Sequence, residues 1–148
     1  MATQMKYCRI DLSKTNYANM SSTNCRYIVH ESMYPECFGI YRKYCEYKQF
    51  ESVMPLFEQQ FRDTMTEIIG YFSNRKLVAF SLIKFYDAKN AEAVQFAWDY
   101  ANPKLRLGIE SLKNECAVYK ARGFNYLYLG LADEYKSQLD GFELLGRL

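Results

Sequence analysis

The chain has 148 residues with a formal net charge of +2, and its 24% of charged residues form no long run of one sign. This describes an ordinary soluble surface and excludes a basic domain that grips DNA nonspecifically. The length predicts one domain, 1–148, that buries roughly two thirds of the surface its unfolded form exposes and folds without disulfide or metal.

The amino terminus, MATQMKYCRI, has no apolar core of a signal peptide, and Met5 to Leu12 alternates loosely as a strand. Ser13 to Asn24 is polar and without period, a loop. Cys25 to His30 is a short extended piece. Behind Pro35 the period changes: Cys37, Phe38, Tyr41, Tyr44 and Cys45 fall at helical spacing, and Pro55 opens a second, shorter helix with Leu56, Phe57 and Phe61. TEIIGYF and KLVAFSLIKFY, joined by Ser73-Asn74-Arg75, read as an antiparallel hairpin whose second strand, apolar on both faces, is central. Ala93 to Asp99 is a strand with Val94, Phe96 and Trp98 on one face, and Trp98 is expected in the core. Pro103 starts a helix with the stripe Leu105, Ile109, Leu112, Cys116 and Tyr119, ending at Gly123. FNYLYLG is the last strand, and an irregular tail follows. No stretch approaches the ~20 apolar residues of a membrane span.

The fold class is therefore α/β (α+β): a mixed, mostly antiparallel sheet with one parallel βαβ crossover. Strand 93–99, helix 103–122 and strand 124–130 form that right-handed crossover, and the two strands should diverge at their carboxy-terminal ends. Fourteen Tyr, ten Phe and one Trp favour a half-open sheet with a wet cleft, because phenol hydroxyls need partners at an edge. The five cysteines, Cys8, Cys25, Cys37, Cys45 and Cys116, show neither a CxxC pair nor a cysteine-histidine cluster, so no metal site is expected and the reducing cytoplasm is the expected location.

This order of elements resembles the acyltransferase fold of the Gcn5-related N-acetyltransferases (GNAT). The match sharpens over RKLVAFSLIKF at 75–85 and AVQFAWDYANPKLRLGIESLKNECAVYKARGFNYLYLG at 93–130. Phe96-Ala97-Trp98-Asp99, Leu107-Gly108, Tyr128-Leu129-Gly130 and the YRKYCEYK helix at 41–48 are similar to the carboxy-terminal domain of arginyl-tRNA and leucyl-tRNA:protein transferases. The resemblance implies that an acyl donor lies where the parallel strands splay, with its phosphates on the following helix start. Two departures stand out. The residues ahead of Tyr34 hold only Cys8 and Cys25, far apart, where the family has a cysteine-containing domain. Around Gly108 the acetyl-CoA pyrophosphate signature would have Leu105 and Glu110 at its outer positions.

Lys104, Leu105, Arg106, Leu107 and Gly108 form the candidate cofactor site: unpaired N–H groups at a helix start attract an anion, and Lys104 and Arg106 add charge. A plain solvated helix start is the competing reading. Asp99 could take a proton from an attacking amine, or be a turn residue. Tyr126 and Tyr128 share one side of the last strand, where a phenol could return a proton to a leaving group or pack at an edge. His30 has no triad partner in the sequence. Lys104, Arg106, Lys113, Lys120 and Arg122 outnumber Glu110 and Glu115 along the helix, as a tRNA-binding surface would require.

The expected activity is acyl or aminoacyl transfer onto an amine, either a protein N-terminus or a small molecule. The donor is acetyl-CoA or aminoacyl-tRNA, and neither metal, DNA nor membrane is involved. Three readings stand open: an aminoacyl-tRNA-dependent transferase, an acetyl-CoA-dependent N-acetyltransferase, and a non-catalytic binding module that keeps the fold.

Overall fold

A computed structural model describes residues 6–20, 24–26, 31–47, 65–99, 107–132 and 134–147. The helix expected behind Pro55, His30 and the residues 101–106 lie outside them. In chain order the elements are β1 (Lys6–Asp11), β2 (Cys25–Arg26), α1 (Tyr34–Tyr47), β3 (Thr66–Ser73), β4 (Lys76–Phe85), β5 (Asn90–Trp98), α2 (Leu107–Ala121), β6 (Tyr126–Leu131) and β7 (Phe142–Arg147). The strand order in the sheet is β2-β3-β4-β5-β6-β1-β7.

The chain divides into two compact units. One contains Met20–Ile83 and Gln95–Gly108; the other contains Met1–Asn19, Lys84–Val94 and Ile109–Leu148. In the first, α1 buries Cys37, Ile40, Tyr41 and Cys45 with Ile68, Leu77, Phe80, Leu82 and Ala97. The i, i+3, i+4 spacing puts those four helix residues on one stripe; the sequence period predicts Cys37, Tyr41 and Cys45 there, Ile40 joins them, and Phe38 and Tyr44 pack against it partly buried. Strand β4 is buried from Leu77 to Ile83, as a strand covered on both faces must be. Asn74 and Arg75 take φ of 51° and 65°, the left-handed pair of a type I′ turn, whose twist matches that of adjoining strands. Trp98 is half-buried rather than in the core, because the fully buried face of this part of β5 carries Ala97.

In the second unit β5 and β6 run parallel, with Asn90, Ala91 and Glu92 opposite Tyr126, Leu127 and Tyr128. Both strands continue past the last of these pairs, to Trp98 and Leu131. Parallel neighbours need a crossover, and α2 supplies it, ending at Gly123 with φ +88°. Phe85, Tyr119 and Phe124 stack in edge and tilted contacts 5.4 to 6.0 Å apart. Strand β1 is antiparallel to both β6 and β7.

The expected irregular tail is thus replaced by a strand. Phe142–Arg147 has no alternating apolar pattern: Leu144 is exposed and Phe142 and Leu145 are half-buried, as on an edge strand. Its pairing with β1 depends on residues over a hundred positions away, which no local pattern carries.

Gly141 fixes the entry to β7. Its φ is +76°, its carbonyl accepts from the Asp11 N–H at 2.8 Å, and a Cβ there would lie 2.4 Å from the Asp11 carbonyl oxygen. Gly141→Ala should lower the urea-unfolding free energy by about 1–3 kcal/mol. Gly146→Ala, where a Cβ meets nothing within 4 Å, should stay within about 0.5 kcal/mol of the parent.

Candidate functional site

Strand β6 alternates from Tyr126 to Gly130, and Leu131 beyond it is exposed. Leu127 and Leu129 are buried while Tyr126 and Tyr128 are half-buried on the opposite face, their rings 6.4 Å apart. The two tyrosines therefore share one side, as the period-two reading predicts. Arg9 on β1 stands opposite Tyr128 in register. Its guanidinium lies 3.8 Å from the Tyr126 ring centroid and 5.9 Å from that of Tyr128. Nη1 donates to the Tyr128 hydroxyl at 3.3 Å, and Nε donates to Glu143 Oε1 at 2.9 Å.

The turn between β4 and β5 places a second pair of polar groups beside these. Tyr86 donates its N–H to the Asn90 carbonyl at 2.9 Å. Asp87 accepts from Asn90 Nδ2 at 3.0 Å and from the Lys89 N–H at 2.7 Å, bonds that hold its carboxyl below the usual carboxylate range. With the turn fixed in this way, the Tyr86 hydroxyl donates to Glu92 Oε1. That bond to a carboxylate, and then partial burial, push the phenol up to about 12. The Tyr86 ring meets Tyr128 edge-on, with centroids 6.3 Å apart at 87°. Tyr7, Tyr86, Glu92, Tyr128 and Leu145 line a cleft of about 440 Å³ on this unit.

Asp99 belongs to the other unit and lines a different cleft, of about 420 Å³, with Glu36, Lys43, Arg75, Lys76 and Leu77. Its N–H donates to the Val78 carbonyl at 2.7 Å, holding the residue to β4. Three cations line a cleft that contains two carboxylates.

Lys104, Leu105 and Arg106 lie outside the described residues, Leu107 is the first described residue of α2, and Gly108 is half-buried with open space where a Cβ would stand. The charge count along α2 needs correction. Glu115, expected among its surface charges, is buried together with Ser111 and Asn114. Lys120 donates to the Thr15 carbonyl, and the Arg122 guanidinium lies 5.2 to 5.8 Å from the Phe85, Tyr119 and Phe124 centroids. Lys113 lies 3.9 Å from Glu110. Lys113, Lys120 and Arg122 thus each have a contact within the fold, while Lys120 and Arg122 remain exposed.

Arg9, Tyr86, Glu92 and Glu143 were not legible as site residues. Arg9 and Glu143 meet Tyr128 only through the pairing of β1 with its two neighbours. The short spacing of Tyr86 and Glu92 around a turn-forming DAKN was the one local signal available. Among the described residues no group of three or more His, Cys, Asp or Glu is arranged to hold a metal ion, and no helix is long and apolar enough to cross a membrane.

The sequence family described as "Arginine-tRNA-protein transferase, C terminus" matches residues 14–142. The chain belongs to this family. Curated proteins include none that matches the chain in sequence. Solved structures share its fold. A GNAT-family protein from Novosphingobium aromaticivorans DSM 12444 has a TM-score of 0.66 at 13% identity, covering 97% of this chain and 61% of its own. A GCN5-related N-acetyltransferase from Kribbella flavida has a TM-score of 0.61 at 9% identity, covering 96% and 55%. Saccharomyces cerevisiae N-myristoyltransferase with bound myristoyl-CoA has a TM-score of 0.57 at 12% identity, covering 94% and 48%. The chain spans about half to three fifths of the length of these structures. The GNAT-like α/β fold implied by the sequence is the fold of this family member.

All five cysteines are buried thiols, and burial, with nearby carboxylates adding to it, pushes those of Cys37 and Cys116 up to about 12. A thiolate nucleophile is therefore disfavoured at these two positions. In the native protein at pH 8, a thiol reagent such as Ellman's should label less than about one cysteine rapidly, and all five should react once urea unfolds the chain.

Proposed function

We propose that this chain is a single GNAT-like domain that transfers an aminoacyl group from aminoacyl-tRNA to an amine. The family match over residues 14–142 carries the reading. In its mechanism a neutral amine attacks the ester carbonyl. The new C–N bond forms, the bond from carbonyl carbon to the tRNA ribose oxygen breaks, and the amine's extra proton leaves through a protein group. Proton transfer falls to one of two groups in separate clefts: Asp99 as acceptor of the amine's proton, or the Tyr128 phenol, with Tyr126 beside it, as donor to the departing ribose oxygen, with water completing the transfer in either case. Backbone N–H groups at 105–108, with Lys104 and Arg106, hold the donor's phosphate. Open space beside Gly108 supports the close approach this needs.

Glu110 weighs against a CoA pyrophosphate. It is exposed in the first turn of α2, where its charge opposes an anion at the helix start. The second reading, acetyl-CoA-dependent N-acetylation, is favoured by the fold shared with GNAT structures and with the myristoyl-CoA-bound transferase. A binding module that keeps the fold is the third. The cytoplasm, where charged tRNA is abundant, is the location this reading requires.

Purified protein should move a labelled amino acid from charged tRNA to an amine-bearing peptide faster than it moves acetyl from acetyl-CoA. Of Asp99→Asn and Tyr128→Phe, the one at the reacting cleft should slow transfer by about 10²–10⁴-fold and the other should leave it near the parent rate. Lys104→Ala combined with Arg106→Ala should raise the KM for the donor more than it lowers kcat. Acetyl transfer alone would select the second reading, and no transfer from either donor would select the third.

A further inference from the structure

The cleft lined by Tyr7, Tyr86, Glu92, Tyr128 and Leu145 has a composition with a specific chemical meaning. Among the described residues its one acidic lining residue, Glu92, is half-buried, and no described cation lies within ion-pair distance of it. The hydrogen bond it accepts comes from the neutral Tyr86 phenol, through Oε1. Arg9, which donates to the Tyr128 hydroxyl, is paired with Glu143 at 2.9 Å. A half-buried carboxylate beside three phenol rings is a site of negative potential, because the ring faces carry the negative part of the quadrupole. Tyr86 already draws one cation: the Lys84 ammonium lies 5.6 Å from its ring centroid.

We infer that this cleft binds an alkylammonium group, the protonated amine of a lysine-like side chain or a chain terminus. Ring geometry selects that cation. Tyr86 and Tyr128 meet at 87°, forming a corner that a compact ammonium fills from two sides. A planar guanidinium needs a flat stack, as Arg9 makes over Tyr126 at 3.8 Å. A divalent metal needs several carboxylates, and among the described residues no such group is present. Glu92 and Tyr128 are also the last registered pair of the parallel strands β5 and β6, so the ammonium sits where that ladder stops. The inference rests on the transferase reading in one respect: it makes the cleft the docking place of the acceptor amine before deprotonation.

The test is a two-dimensional amide NMR titration of the whole chain with 1,5-diaminopentane, and with 1,5-pentanediol as the uncharged isostere. The diamine should produce saturable shifts at Glu92, Tyr128 and Gly130, with the diol at least about tenfold weaker. Glu92→Gln should weaken the diamine at least about tenfold. Tyr7→Leu, at a position 45% exposed and so tolerant of change, should weaken it several-fold and serves if the Gln variant folds poorly. Tyr86→Phe, which frees Oε1, should bind at least as tightly as the parent. Diamine binding unchanged by Glu92→Gln or Tyr7→Leu, or shifts confined to other surfaces, would overturn the inference. The readout is independent of turnover. Amine binding without any acyl transfer leaves this site standing and removes the transferase reading, whereas transfer without diamine shifts in the cleft removes the site alone.

Discussion

Three residue pairs in parallel register, Asn90 with Tyr126, Ala91 with Leu127 and Glu92 with Tyr128, are the constraint on which the rest of this molecule depends. Parallel neighbours cannot be joined by a tight turn, so the chain must leave the sheet after β5 and return through α2 before β6 begins. The register also decides which side chains meet. It buries Ala91 and Leu127 as one pair, and in the next it sets Glu92 against Tyr128 at the cleft wall. A slip of one residue would turn the tyrosines to the buried face and the leucines outward. Nothing local in FNYLYLG prevents this; the antiparallel pairing of β1 along the other edge of β6 does.

The half-open face of β1, β6 and β7 is held by a charge that has several partners. Arg9 is three-quarters buried, and a guanidinium so placed is costly unless each side of it is answered. Glu143 answers the charge, the Tyr126 ring covers the plane, and the Tyr128 hydroxyl accepts from Nη1. Each such contact at a partly exposed site contributes on the order of 0.5–1 kcal/mol. Their larger effect is geometric, since they fix the Tyr128 ring on the side where Tyr86 meets it. The cleft wall is rigid because it is built from strands and a turn whose Asp87 and Asn90 side chains are bonded to one another.

Much of the fold was legible because its signals are local. The helical stripe of Cys37, Tyr41 and Cys45, the mostly apolar run of β4 around Ser81, the Asn74-Arg75 turn and Gly123 each follow from a period or a backbone preference within a few residues. The same period placed Tyr126 and Tyr128 on one side of β6. What could not be read depends on distant pairing. β7 looks irregular until β1 is laid beside it, and Arg9 is an ordinary strand arginine until Tyr128 stands opposite. Glu115 looks like a surface charge from helical spacing alone, yet Leu112, Cys116, Ala117 and Val118 are buried around it, so the helix is covered on more than one stripe. Asp99 was legible as a strand end, but its company of Lys43, Arg75 and Lys76 came from two other elements.

We propose that the first turn of α2 receives the phosphate of an acyl donor. Hydrogen–deuterium exchange of the intact chain, with and without saturating aminoacyl-tRNA, tests it most directly. Exchange should slow in peptides spanning 103–110, because N–H groups that bond a phosphate are withdrawn from solvent. Charged tRNA that binds and protects other segments while leaving 103–110 unchanged would contradict it.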